Sequence, residues 1–78
     1  MTSVDSAKRG RIRSVDAATA RTSRATGAMV NAMMQDALES DEFGKSVAIA
    51  KYTEAEENLE RALDLIRDCR RSIEGKDT

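Results

Sequence analysis

Apolar residues in the second half of the chain recur on two heptad ladders: Tyr52, Leu59, Ile66 and Ile73 on one, and Ala48, Ala55, Ala62 and Cys69 on the other, offset by three. Paired ladders of this kind form an a/d seam, the narrow stripe along which one helix packs on another, and alanines on one edge permit close approach. The spacing predicts a helix over about 47–74 whose hairpin seam is Tyr52, Ala55, Leu59, Ala62, Ile66, Cys69 and Ile73. In the first half, Val15, Ala18, Thr22, Ala25, Met29, Ala32 and Met33 keep helical spacing as far as Leu38. Ser14 is the expected N-cap of that helix, with Asp16 in the first turn where a carboxylate suits the helix dipole.

Between the two patterns stands Ser40-Asp41-Glu42-Phe43-Gly44-Lys45. Gly44 reads as the residue that ends the first helix and Ser46 as the cap of the second, which predicts helices over about 14–42 and 47–74 and a loop over about 43–46. One unbroken helix is the alternative. Carrying the second seam backwards by sevens, however, puts Lys45, Asn31 and Asp41 on it, and the phase is lost. Two arms of matched length, each about 40 Å at 1.5 Å per residue, joined by a short loop, predict an antiparallel αα-hairpin over 14–75. The fold class is therefore all-α, a coiled-coil-like two-helix hairpin that completes its core by oligomerisation or by binding a partner. Residues 76–78 are a tail.

Residues 1–13 form a basic extension. Ser3-Val4-Asp5-Ser6-Ala7 resembles Ser14-Val15-Asp16-Ala17-Ala18 at an offset of eleven, a period that keeps side chains on one helical face. Gly10 and the cluster Lys8, Arg9, Arg11 and Arg13 weigh against a helix that is stable alone, so the extension is expected to be helical only when docked.

The chain has 78 residues, with aromatics at 3% against 40% hydrophobic residues, so its core is built from small side chains. A lone hairpin of that kind buries little surface per residue while ordering costs about 1–2 kcal/mol for each, and a partner is expected. The methionine-rich stretch points the same way. Met29, Val30, Met33, Met34 and Leu38 cover more than one side of the first helix, and an adaptable apolar surplus of this kind suits a partner-facing surface.

Charge is polarised along the chain. Residues 1–27 carry six basic and two acidic side chains, residues 28–78 seven basic and twelve acidic. Folding the chain as a hairpin brings Lys8, Arg9, Arg11 and Arg13 beside Arg67, Arg70 and Arg71, which makes the open end basic and the loop end acidic. Those seven are the candidate contacts for phosphates or for an acidic partner. The acidic stripe Glu56, Glu60, Asp64 and Asp68, interleaved with Arg61, Arg67 and Arg71, predicts a solvated outer face paired as Glu57–Arg61, Asp64–Arg67 and Asp68–Arg71.

The sequence contains no histidine, no glycine-rich phosphate loop and one cysteine. Without an imidazole, Cys69 lacks an obvious base and the carboxylates lack the usual bundle metal partner. No enzyme activity, catalytic residue, cofactor, metal or small-molecule ligand is expected. A lone cysteine, no apolar stretch near the ~20 residues of a membrane span and no signal-peptide pattern make a cytoplasmic protein without membrane contact the expectation.

The leading functional expectation is a non-enzymatic protein–protein interaction module, acting by helix-to-helix docking as an adaptor, chaperone, inhibitor or assembly subunit. Its partners would be itself, as a dimer or higher bundle, and another protein. A nucleic-acid-binding oligomer using the basic open end is the alternative, weakened by the lack of aromatics for base stacking. A small exported helical hairpin acting through the loop around Phe43 is the third.

Overall fold

The computed structural model describes residues 3–38 and 41–75. Two helices, α1 (Ser3–Leu38) and α2 (Glu42–Glu74), run antiparallel and pack along their length as an all-α hairpin. The molecule measures 58 × 20 × 12 Å, a single layer of two helices. Its radius of gyration of 17.5 Å exceeds the roughly 12 Å of a compact domain of this length.

The helix boundaries differ from the sequence expectation at both ends of the first arm. Helix α1 starts at Ser3, so the extension is continuous with it and Ser14 lies inside the helix rather than capping it. The chain turns earlier than 43–46. Asp41 caps α2: its carboxylate accepts a hydrogen bond from the Gly44 amide at 2.7 Å, and the Lys45 amide donates to the Asp41 carbonyl at 3.0 Å. Asp41 with Glu42 in the first turn outcompetes Ser46 because both carboxylates also meet the positive end of the helix dipole. Gly44 is therefore not a helix terminator. It is buried in the first turn of α2, on the side that faces α1. At the other end the Gly75 amide donates to the Arg71 carbonyl at 2.7 Å and closes the last turn. The expected tail 76–78 lies outside the described residues, as does Lys76.

Alanine makes the seam. Ala18, Ala25, Ala28 and Ala32 of α1 are buried against Ala48, Ala55 and Ala62 of α2, with Ala25 and Ala32 at 0% exposure. Among the described residues no buried apolar side chain is larger than a methyl group. Methyl facing methyl brings the backbones close, and each such group removed from water is worth about 0.8 kcal/mol. Polar crossings supplement it. The Arg11 guanidinium donates to Ser72 Oγ at 3.0 Å, the Cys69 thiol donates to the Arg11 carbonyl at 3.7 Å, and the Arg21 guanidinium donates to Asn58 Oδ1 at 3.2 Å. Asn58 is itself buried, and its amide nitrogen donates to the Glu54 carbonyl at 2.9 Å.

The seam expected from sequence is thus half displaced. The Ala55, Ala62 and Cys69 ladder faces α1, but Tyr52, Leu59, Ile66 and Ile73 stand outside the hairpin, with Leu59 at 43% and Ile73 at 63% exposure. In their place the ladder Gly44, Lys51, Asn58 and Leu65 turns inward, a rotation of α2 by about 50° from the expected setting. The cause lies in α1. It offers alanines at matching heptad spacing, and two small-residue ladders approach more closely than a small and a large one.

Candidate docking face

In both helices the residues one and four places after each seam position fall on the same side. On α1 these are Ile12, Val15, Thr19, Thr22, Thr26, Met29 and Met33; on α2 they are Ile49, Tyr52, Leu59, Leu63, Ile66 and Ile73, interrupted by Glu56 and Arg70. Because the helices are antiparallel, the two sides join into one face of the slab. The grooves on that face confirm the junction. Val15, Thr19, Thr22 and Thr26 share one of about 450 Å³ with Leu59, Leu63 and Ile66, and Met29 shares the next with Tyr52, Leu59 and Leu63.

The threonines in the middle of the face are less polar than their names imply. Thr19, Thr22 and Thr26 each donate their hydroxyl to the carbonyl four residues back, at 2.9, 2.9 and 3.0 Å. With the hydroxyl bonded internally, each side chain can present its methyl group outward. The face therefore runs as a mainly apolar band from Ile12 to Met33, about 30 Å, with Glu56 and Glu60 beside the Met29 groove and Ser23 beside the Val15 groove. Sequence reading missed this because threonine scores as polar in a pattern; its i−4 bonding is visible only once the helix exists.

The five residues expected to face a partner divide between two sides. Met29 and Met33 belong to the apolar face, Val30 points away from α2, and Met34 and Leu38 lie toward the other edge near the turn, with Phe43 exposed at 75%. All five are exposed.

Away from the turn, where Met34, Leu38 and Phe43 are exposed, the opposite face is polar. Arg21, Glu57, Asn58, Arg61 and Asp64 line a shallow groove there. Of the ion pairs expected along α2, Asp64–Arg67 forms at 3.8 Å and Asp68–Arg71 at 3.7 Å, while Arg70 pairs with Glu74 at 3.6 Å. No pair joins Glu57 to Arg61 among the described residues. These exposed pairs add little stability. Their consequence is electrostatic, since Arg67, Arg70 and Arg71 share their charge with neighbouring carboxylates. Arg11 is half-buried on Ser72, whereas Lys8, Arg9 and Arg13 are exposed.

Cys69 is a free, half-buried thiol at the seam. Among the described residues no cluster of His, Cys, Asp or Glu has the geometry of a metal site, and no helix is long and apolar enough to cross a membrane. No protein-family model, curated protein or solved structure matches this chain.

Proposed function

We infer that the chain is a non-enzymatic protein-interaction module, working by helix-to-helix docking on its apolar face as an adaptor, chaperone, inhibitor or assembly subunit. One observation carries this reading: the hairpin spends its alanines on its own seam and leaves Val15, Met29, Tyr52, Leu59, Leu63 and Ile66 together in solvent on one side. Large contiguous apolar patches on soluble chains mark interaction surfaces. The surface total agrees. The hairpin exposes 5895 Å², more than the roughly 4,700 Å² of a compact monomer of 8.5 kDa, because a single layer of two helices covers neither of its faces. A cytoplasmic setting belongs to the same reading, on the strength of a sequence with one cysteine and no disulfide framework.

A photo-crosslinking residue placed at Leu63 or at Arg61 in the living cell tests it. Docking through the apolar face gives protein adducts from the Leu63 position and few from Arg61 on the polar face. Equal yields from both, or none from Leu63, overturn it.

A further inference from the structure

We propose that the occupant of the apolar face is a second copy of this chain, laid antiparallel so that the open end of one hairpin covers the turn end of the other. The result is a four-helix bundle with the polar faces outward. The inference rests on the docking reading and adds the partner and its orientation.

Three observations select this occupant. The first is width. The face spans both helices, and the slab is 20 Å across, whereas one helix with its side chains covers about 10 Å. A single docked helix would leave half the band wet; a second hairpin covers it.

The second is area. A band about 30 Å long on a slab 20 Å across covers about 600 Å² on each of two chains, roughly 1,200 Å² in all, at the lower bound of a specific interface.

The third is charge. The half of the hairpin nearer the open end, residues 6–24 and 57–75, holds ten basic and six acidic side chains, net +4. The half nearer the turn, residues 25–38 and 41–56, holds two basic and five acidic, net −3. An antiparallel pair lays +4 over −3 twice, while a pair with open ends together sets like charge on like at both ends. Lys8 and Arg70 flank the apolar band at one end, Asp36 and Glu42 at the other. A two-fold interface is necessarily self-complementary, and this chain carries both halves of the complement. Screening at physiological salt reaches within about 8 Å, so the charges set orientation while apolar burial sets affinity.

The experiment has two readouts on the purified full chain. Light scattering after size exclusion is expected to give the mass of two chains, and Leu63→Asp that of one. A spin label on Ala37→Cys in a Cys69→Ser background then reads orientation, since Ala37 is exposed near the turn. The antiparallel bundle sets the two labels about 40 Å apart, and turn ends lying together set them about 20 Å apart. The short distance overturns the orientation. A one-chain mass at every concentration overturns the second copy as occupant. If the Leu63 photo-crosslinker still captures a different protein, the docking reading survives that result; if it captures nothing, both fall.

Discussion

The Arg21 guanidinium donates to the side-chain carbonyl of Asn58 across the seam, Nη1 to Oδ1 at 3.2 Å, between rows of alanine that are otherwise alike. A methyl ladder repeating every seven residues does not by itself choose between heptad registers, so the constraint set by the short turn needs reinforcement along the arms from polar crossings. Arg21–Asn58 near the middle and Arg11–Ser72 toward the open end supply it. Asn58→Ala and Arg21→Ala are each expected to lower stability by about 1 kcal/mol, with a coupling of about 0.5–1 kcal/mol in a double-mutant cycle by denaturant unfolding. Strictly additive losses would mean that the bond carries no register.

Ala25 and Ala55 belong to one buried cluster with Ala28. Ala25→Leu forces the helices apart and is expected to cost about 1–3 kcal/mol in thermal or denaturant unfolding. Ala20→Leu, on the exposed side of the same helix, should stay within about 0.5 kcal/mol of the parent. Equal tolerance at both positions would contradict the alanine seam.

Asp41 holds the start of α2 through the Gly44 amide. Asp41→Ala is expected to destabilise by about 1 kcal/mol, with Asp41→Asn recovering most of it, because either side chain accepts the same hydrogen bond. Ser46→Ala, inside the helix, should be close to neutral.

Heptad spacing assigns Leu59 and Ile66 to the seam, where an aspartate is a buried unpaired charge that unfolds the hairpin. At 43% and 46% exposure they meet water instead. Leu59→Asp and Ile66→Asp are now expected to keep the circular-dichroism helix signal while association, read as mass by light scattering, is lost.

Much of the fold was legible because heptad periodicity survives in sequence. Two arms of matched length, a break near Asp41 and a chain too poor in bulk to close its own core all pointed to an antiparallel hairpin. The rotational setting of α2 was not legible. Ala48, Ala55 and Ala62 are flanked on one side by Lys51, Asn58 and Leu65 and on the other by Tyr52, Leu59 and Ile66, and hydrophobicity alone favours the second set. What decided was the partner helix, whose alanines reward close approach over bulk. The turn was misplaced for a related reason. Gly44 signals a helix end in isolation, but here it serves the seam. The exposed face has the same origin, since heptad spacing assigns Tyr52, Leu59 and Ile66 to the seam and the setting of α2 leaves them in solvent.

The most direct test of the alanine seam is a nuclear Overhauser experiment on protein labelled at its alanine methyl groups. The account expects a cross-peak between Ala25 and Ala55, and others along the ladder at Ala18 with Ala62 and at Ala32 with Ala48. Absence of cross-peaks between alanines of opposite helices, with the α1 methyls meeting Tyr52 and Leu59 instead, would show that the large residues fill the seam and would contradict the structure's central relationship.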